Sequence, residues 1–243
     1  MRILVTGGPT HEYLDHVRCL TNPSTGRMGM EIARAARRRG HDVTLVTGPT
    51  HFPDPPGIRV VRVVTALEMD AAVRRLFPKC RAFIASAAVS DYRPRTTFAG
   101  KIKKGPAAMT LDLVRNPDIL AGCGRRKGKR VLVGFALEVQ CGLANALDKL
   151  RRKNLDLVVL NSPESFASRE IGPTFLTPDG REDRKPRMTK TRLADQIIKF
   201  TERAAKNDEL DLEMLTPPLS PLPTSHASPL TTHHCNRPGK RQG

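Results

Sequence analysis

Tryptophan is absent from the 243-residue sequence, and aromatic residues make up only 4% of it. Proteins that bind single-stranded nucleic acid usually hold successive bases by stacking them on aromatic side chains. The scarcity of such side chains disfavours a protein of this kind.

Paired cysteines and long apolar runs are also missing. The five cysteines are an odd number without a C-x-x-C pair, so neither a disulfide framework nor a zinc site is indicated. No apolar run approaches the roughly 20 residues of a membrane helix. The apolar run at 2–6 is also too short for a signal peptide. We therefore expect a cytoplasmic protein that makes no membrane contact.

Acidic residues are scarce beside basic ones, with 24 Asp and Glu against 41 Lys and Arg, which gives a net charge of +17. Such a surface attracts anions, but charge alone does not separate phosphorylated metabolites, nucleotides and nucleic acid. A basic nucleic-acid-binding protein is one alternative. No nucleic-acid recognition motif is present, so we favour small molecules that carry phosphate and expect no nucleic-acid partner.

Predicted strands and helices alternate along the chain, which favours an α/β fold with a Rossmann-like, doubly wound, mostly parallel sheet. The predicted strands are 2–6, 42–47, 58–64, 82–89, 110–114, 130–136 and 155–160. The predicted helices are 28–39, 66–77, one beginning near 118, 142–153 and 190–205. A small hairpin is expected at 173–182. We predict one domain at 1–206 and a disordered tail at 207–243, which is rich in Pro, Ser, Thr and His.

Two loops near the N-terminus have the composition of anion-binding loops. The loop at 6–12 follows a strand and contains Gly8, which would let backbone N–H groups approach a phosphate, although paired glycines are also ordinary turn residues. The loop at 21–29 leads into the first helix and brings Asn22, Ser24 and Gly26 to its positive end. Helix capping is the structural alternative, but it needs only one such residue. We therefore favour an anion site there.

Two further segments carry charged residues, one at a strand end and one in an irregular segment that contains glycine. Small residues close the strand at 82–89, and the Asp91 that follows is placed to hold a ribose hydroxyl or Mg²⁺. Close helix packing would explain the small residues equally well, but not Asp91. Further on, Lys101, Lys103 and Lys104 could fold over a triphosphate and stabilise a leaving pyrophosphate. Most short charge runs are simply solvated, which is the alternative for these lysines.

Taken in order, these segments and their neighbours resemble the phosphopantothenate–cysteine ligase family over residues 2–200. Nine short motifs carry the resemblance: Gly8-Pro9-Thr10-x-Glu12, Asp15-x-Val17-Arg18, Asn22-x-Ser24-x-Gly26-x-Met28-Gly29, Thr65-Ala66-x-Glu68-Met69, Ala87-Ala88-Val89-x-Asp91-Tyr92, Lys101-Ile102-Lys103-Lys104, Asn116-Pro117-Asp118-Ile119, Gly134-Phe135-Ala136-x-Glu138 and Lys149-x-x-x-Lys153-Asn154-x-Asp156. Each motif is weak alone, but nine in the same order are not expected by chance.

The resemblance implies a two-step reaction in coenzyme A biosynthesis. The carboxylate of 4′-phosphopantothenate attacks the α-phosphate of a nucleoside triphosphate, usually CTP with ATP as the alternative, and pyrophosphate leaves. The amine of cysteine then attacks the acyl-nucleotidylate, which gives 4′-phosphopantothenoylcysteine and CMP. Mg²⁺ is expected to bridge the phosphates, with ligands that the sequence does not identify.

The resemblance also implies roles for individual residues. Asn22 would orient the acyl intermediate, and Lys101, with Lys103 and Lys104 on a mobile flap, would stabilise phosphate charge. The nucleotide site would be formed by Ala88, Asp91, Asn116, Pro117, Asp118, Ile119, Phe135, Lys149 and Lys153. A homodimer is expected by the same analogy. Because the first loop begins a few residues after Met1, we expect the flavin-dependent decarboxylase of the pathway to be a separate protein.

A nicotinamide-dependent reductase is the alternative among enzymes, since a strand followed by Thr-Gly-Gly also opens many Rossmann reductases. Such enzymes need a G-x-G-x-x-G loop and an acidic residue that ends the second strand. The second predicted strand instead ends at Thr47-Gly48, and neither Tyr13 nor Tyr92 has a lysine four residues on. The sequence therefore favours the ligase.

Overall fold

The structure is a computed structural model that describes residues 1–105, 107–137, 142–161 and 170–215. The helices are α1 (Arg27–Arg38), α2 (Ala66–Leu76), α3 (Ile119–Gly124), α4 (Gly142–Arg152) and α5 (Lys190–Leu215). The strands are β1 (Arg2–Gly7), β2 (His11–Tyr13), β3 (Cys19–Thr21), β4 (Asp42–Thr47), β5 (Arg59–Arg62), β6 (Ala82–Ala85), β7 (Tyr92–Pro94), β8 (Leu113–Arg115), β9 (Val131–Leu137), β10 (Leu157–Asn161), β11 (Glu170–Ile171), β12 (Thr174–Leu176), β13 (Glu182–Arg184) and β14 (Met188–Thr189).

Eight of these strands form the main sheet, in the order β13-β12-β10-β9-β6-β1-β4-β5. The six strands from β5 to β10 in that order are parallel, and β12 and β13 are antiparallel additions. From the central β1 the chain builds outward on one side through β4 and β5, and then on the other through β6, β9 and β10. The predicted Rossmann-like, doubly wound sheet is thus confirmed, and its order reverses between β1 and β6, where such sheets bind ligands.

The core lies on both faces of this sheet. Ile3 and Val5 of β1 pack in the layer that contains Ile32 of α1 and Ile197 of α5. Leu4, between them in sequence, points into the opposite layer, which includes side chains of α2, α3 and α4. Because successive side chains of a strand alternate between faces, a strand covered on both sides must be apolar throughout, as β1 is.

Two predicted strands differ from their observed positions. The strand predicted at 82–89 ends at Ala85, and further on the N–H of Ala88 donates to the carbonyl of Gly8 in the loop after β1 (2.9 Å). The strand predicted at 110–114 lies at Leu113–Arg115, outside the main sheet, where it pairs antiparallel with β7. Leu113 is exposed, so the segment lacks the buried apolar character that a central parallel strand requires.

Two short antiparallel ribbons lie together beside the carboxyl edge of the sheet. One is β2 with β3, and the other is β7 with β8. Phe98, which follows β7, donates its backbone N–H to the carbonyl of Leu14, which follows β2 (2.9 Å). The sequence does not predict β2, β3 or β7, since three residues are too few for a periodic pattern to be recognised.

The C-terminal part contains the predicted hairpin, which is β12 and β13 with a turn closed by the Gly180 N–H to Thr177 carbonyl bond (3.0 Å). Helix α5 continues to Leu215, past residue 207, where the predicted disordered tail begins. The remaining part of that predicted tail, 216–243, lies outside the described residues, as does Glu138 of the eighth motif. Among the described residues, no helix combines the length and the apolar character needed to cross a bilayer.

Candidate functional site

A cavity of about 460 Å³ lies where the strand order reverses, at the carboxyl ends of β1, β6 and β9. Thr6 and Ala85 come from the ends of β1 and β6, and the walls come from the segments around them. The lining residues are Thr6, Met69, Ala85, Ala87, Val89, Ser90, Asp91, Tyr92, Arg115, Asn116, Pro117, Asp118, Ile119, Leu120, Phe135, Lys149 and Lys153.

This cavity brings together nearly all residues that the family resemblance implies for a nucleotide site. Of the nine, which are Ala88, Asp91, Asn116, Pro117, Asp118, Ile119, Phe135, Lys149 and Lys153, all except Ala88 line it. The other predicted site residues, Gly8, Asn22, Ser24, Gly26, Lys101, Lys103 and Lys104, are not among its lining residues. The predicted site therefore has two parts, the cavity and a set of residues around it.

Asn116 holds the segments after β6 and β8 together. Its amide nitrogen donates to the carbonyl of Ser90 (2.8 Å), and its amide oxygen accepts from the guanidinium of Arg93 (3.1 Å). Its backbone N–H donates to the carbonyl of Asp91 (2.8 Å). Because both ends of the side chain are bonded within the protein, Asn116 shapes the cavity wall.

Asp118 has two structural roles at the entrance of α3. One carboxylate oxygen caps the helix by accepting the backbone N–H of Ala121 (2.9 Å), and the other forms an ion pair with Lys153 Nζ (2.7 Å). Partial burial tends to raise the pKa of the Asp118 carboxyl. The hydrogen bonds from Lys153 and Ala121 outweigh that effect, so the pKa lies below its ordinary value. Asp118 is therefore a fixed negative charge beside a fixed lysine.

Two lysines of the cavity lie one helical turn apart. Lys149 is in α4, and Lys153 just after it continues the helical pattern with a backbone bond to the Lys149 carbonyl (3.0 Å). A spacing of four residues puts both side chains on the same face of the helix. Lys149 Nζ donates to the carbonyl of Phe135 near the end of β9 (2.6 Å). Both ammonium groups are thus oriented by the protein before any ligand binds.

Arg115 and Tyr92 line the cavity, although the sequence predicts no role for either of them. The hydrogen bond between Arg115 and Tyr92, together with the charge of Asp91, raises the pKa of the Arg115 guanidinium. Arg115 thus adds a guanidinium cation to the cavity. It directly precedes Asn116, so a basic residue next to a recognised motif was the available signal.

Asn22 lies beside the cavity wall. Its amide nitrogen donates to the carbonyl of Ala88 (3.1 Å), and the N–H of Ala88 donates to the carbonyl of Gly8 (2.9 Å). The same Ala88 carbonyl accepts the N–H of Thr10 (3.3 Å). Ala88 therefore links the loop after β1 and the segment after β3 to the cavity wall.

Gly8 and Gly26 are explained by backbone packing. They have φ values of 74° and 80°, a region that favours glycine. A Cβ on Gly26 would lie 3.1 Å from the Cα of Gly8, and a Cβ on Gly8 would lie 3.1 Å from the N of Gly48. Nearby, Ser24 accepts the N–H of Gly26 on its hydroxyl (3.3 Å). A contact of Gly8, Ser24 or Gly26 with a ligand stays a prediction.

The lysine segment, which we define as residues 101–104, has exposed lysine side chains and an anchored backbone. The N–H of Ile102 donates to the carboxylate of Asp15 (2.9 Å), and the guanidinium of Arg18 donates to the carbonyl of Ile102 (3.0 Å). The segment is thereby attached to the turn between β2 and β3.

A resident metal centre is not indicated in the part of the chain that the structure describes, where no three His, Cys, Asp or Glu side chains form a possible metal-binding group. The carboxylates at the cavity are Asp91 and Asp118, and Asp118 is paired with Lys153. This set fits a Mg²⁺ that arrives with a nucleotide, because such an ion takes most of its ligands from phosphates and water and only one or two from the protein.

Comparison with known proteins identifies relatives over most of the chain. The Coenzyme A biosynthesis bifunctional protein CoaBC of Vibrio cholerae is 41% identical over 204 residues, which are 81% of this chain and 51% of that protein. The protein of the same name from Escherichia coli K12 is 47% identical over 165 residues, 66% of this chain and 41% of that protein. The chain thus spans about half the length of these curated relatives.

A crystal structure of the C-terminal domain of a CoaBC protein shares the fold, with a TM-score of 0.72 and 34% sequence identity. That match covers 87% of this chain and 96% of the crystallised domain. The family described as the DNA/pantothenate metabolism flavoprotein C-terminal domain matches residues 1–204. Because that match spans most of the sequence, the chain belongs to the family of DNA/pantothenate metabolism flavoprotein C-terminal domains.

Proposed function

We propose that the chain is a phosphopantothenate–cysteine ligase, which joins 4′-phosphopantothenate to cysteine with a nucleoside triphosphate through an acyl-nucleotidylate. The observation that carries the proposal is that the cavity at the strand-order reversal is lined by the residues that the family resemblance implies for the nucleotide site. Membership of the family, and relatives that are named for coenzyme A biosynthesis, support the choice of pathway.

In the first proposed step, a carboxylate oxygen of phosphopantothenate bonds to the α-phosphorus of the nucleotide, and pyrophosphate leaves with the electron pair of the broken P–O bond. Arg115, Lys149 and Lys153 supply cations at the cavity, where the nucleotide would lie. The lysine segment supplies further cations outside it. Positive groups that hold the phosphates increase affinity, and those beside the leaving pyrophosphate also stabilise the charge that develops on it.

In the second proposed step, the amine of cysteine attacks the acyl carbon. The amide bond forms, the nucleoside monophosphate leaves, and the amine loses a proton. Asn22 is proposed to orient the acyl group, since its bond to the Ala88 carbonyl places its side chain beside the cavity wall. An amide suits this task because it has both donors and an acceptor and carries no charge to repel the acyl phosphate.

CTP is the proposed nucleotide, with ATP as the alternative. Mg²⁺ bound to the triphosphate would neutralise phosphate charge, and Asp91 at the cavity is the proposed protein ligand for the ion or for a ribose hydroxyl. Phosphorylated substrates and a nucleoside triphosphate together place the proposed activity in the cytoplasm.

The proposed assembly is a homodimer. Exposed apolar side chains gather on and near the two ribbons at the carboxyl edge of the sheet, including Tyr13, Val17 and Phe98 with exposed fractions of 41%, 62% and 48%. Apolar groups that cluster on a surface in this way often mark a protein interface.

The matched relatives are bifunctional, and we assign the ligase step to the region that this chain shares with them. A flavin-dependent decarboxylase would act on the product.

The test is a reconstituted reaction with purified protein, 4′-phosphopantothenate, cysteine, Mg²⁺ and each of the four nucleoside triphosphates. We expect stoichiometric pyrophosphate, CMP and amide product, with the highest initial rate for CTP. Omitting phosphopantothenate should abolish pyrophosphate release, and omitting cysteine should leave the acyl-nucleotidylate. Pyrophosphate that forms without phosphopantothenate, or the absence of product with all four nucleotides, would reject the proposal.

A further inference from the structure

The peptide unit of Ile102 is held from both sides. Its N–H donates to Asp15 Oδ2 (2.9 Å), and its carbonyl accepts from an Arg18 guanidinium nitrogen (3.0 Å). The same nitrogen of Arg18 donates to Asp15 Oδ2 (2.7 Å). Since Ile102 lies between Lys101 and Lys103, this ion pair fixes the backbone from which both lysines extend.

Asp15 is suited to be the fixed point of this arrangement. Its side chain is 0% exposed, and its second oxygen accepts the backbone N–H groups of Val17 and Arg18, each at 2.7 Å. The backbone bond from Ile102 is the largest influence on the carboxyl and, with the other donors, holds the pKa of Asp15 well below its usual range despite burial. The acceptor therefore stays ionised, and charge-assisted hydrogen bonds of this kind are stronger than neutral ones.

The lysine side chains themselves are not fixed in this way. Lys101, Lys103 and Lys104 are exposed, and a lysine carries much rotamer entropy. Anchoring the backbone at Ile102 leaves only the side chains to be ordered when a polyanion arrives. Pre-ordering of a binding segment increases affinity because less conformational freedom is lost on binding.

We propose that Asp15, together with Arg18, is a positioning residue that holds the lysine segment where Lys101 and Lys103 meet the β- and γ-phosphates of the nucleotide. This role rests on the proposed function and adds residues that touch neither substrate nor reacting atoms. The two residues act through the Ile102 peptide unit.

The experiment compares Asp15→Asn with Asp156→Asn. Asp156 is the control because its carboxylate, like that of Asp15, accepts hydrogen bonds from a cationic side chain, here Lys127 (2.7 Å), and from the backbone, here the Leu132 N–H (2.7 Å). CTP and CMP affinities with Mg²⁺ are measured by calorimetry, and trypsin cleavage after Lys101, Lys103 and Lys104 is followed by mass spectrometry. The thermal midpoint Tm of each variant reports any general loss of stability.

We expect Asp15→Asn to weaken CTP binding about tenfold while CMP binding changes less than about twofold, because CMP lacks the β- and γ-phosphates. Cleavage in the lysine segment should accelerate in Asp15→Asn and not in Asp156→Asn. A purely structural role would weaken both nucleotides alike and would be shared by the control.

Arg18 provides a second pair of variants, which are expected to fold because the side chain is 46% exposed. Arg18→Gln should reproduce the selective loss of CTP affinity, and Arg18→Lys, which keeps a cationic donor, should restore part of it. Equal losses for CTP and CMP, or wild-type behaviour of both Asp15→Asn and Arg18→Gln, overturns the positioning role alone. Wild-type protein that binds no CTP overturns the proposed function as well.

Discussion

The cavity and the lysine segment, two regions assigned to the same nucleotide, are built in opposite ways. In the cavity the side chains are fixed, with Lys153 paired to Asp118 and Lys149 bonded to the Phe135 carbonyl. In the lysine segment the backbone is fixed through Ile102, and the ammonium groups extend into solvent. One region presents a preformed surface, and the other presents charges that still have freedom to move.

We expect the two regions to affect different quantities, the cavity mainly the affinity for the nucleotide and the lysine segment mainly kcat. Groups whose contacts with the nucleotide are equally strong before and during the reaction contribute mainly to affinity, and the cavity is assigned this role. The lysine segment is assigned to the β- and γ-phosphates, which leave as pyrophosphate, and interactions that strengthen as this negative charge develops increase kcat. Loss of a lysine of the segment should therefore slow the reaction more than it weakens CTP binding, whereas damage to the cavity should mainly weaken nucleotide binding.

The largest effect is expected for Lys101→Ala. Pyrophosphate release at saturating CTP should fall about 100- to 1,000-fold, because a cation beside the leaving group is lost in the transition state. The KM for CTP should change much less. Initial rates of pyrophosphate release measure both quantities, and Lys199→Ala, an exposed lysine of α5, is the control. A loss confined to KM would erase the distinction between the two regions.

A smaller and more selective effect is expected for Asn22→Asp. Its side chain lies beside the wall at Ala88 and does not line the cavity. The rate of the first step should therefore fall less than the rate of the second, in which a carboxylate at position 22 would repel the acyl phosphate. We expect amide formation to fall about tenfold further than pyrophosphate release.

Asn116→Asp is the matched comparison for that result. Asn116 bridges Ser90 and Arg93 within the cavity wall. Its replacement should therefore lower the rates of both steps by similar factors. Single-turnover measurements of pyrophosphate and amide separate the steps. Equal losses of both in Asn22→Asp would remove the acyl-orienting role of Asn22.

The parts of the molecule that the sequence predicted well are those in which neighbours in sequence stay neighbours in space. The alternation of strands and helices indicated the doubly wound sheet. The run from Asn116 to Ile119 lies at a helix entrance, so its residues reach the same cavity without help from distant segments. Arg115 was missed although it adjoins this run, because its role depends on Tyr92 on the partner strand β7.

The parts that it predicted poorly depend on contacts between distant segments. The strands β2, β3 and β7 have three residues each, and pairing with their partners rather than periodicity identifies them. The Asp15 carboxylate and the Ile102 N–H are 87 positions apart. Both residues stood in recognised motifs, but nothing in either motif states that one holds the other.

The smallest predicted effect tests the fixed charges of the cavity through the pH dependence of stability. The pKa of Asp118 is lowered in the folded protein, so its ion pair with Lys153 stabilises the fold at pH values above the unfolded-state pKa of about 3.9 and is lost as the pH falls through the folded-state value. Asp118→Asn keeps a good helix cap but removes the charge. Because the side chain is half exposed, the free energy of unfolding at pH 7 should fall by less than about 1 kcal/mol.

Urea unfolding of the wild type and the variant should show this difference at neutral pH and a shrinking difference below about pH 4. Asp148→Asn, which breaks an exposed pair with Arg152 on the same helix as Lys149, is the control. A difference that stays constant down to pH 3 would mean that the cavity does not hold Asp118 as a fixed charge, and that its ion pair with Lys153 is as loose as the lysine side chains outside it.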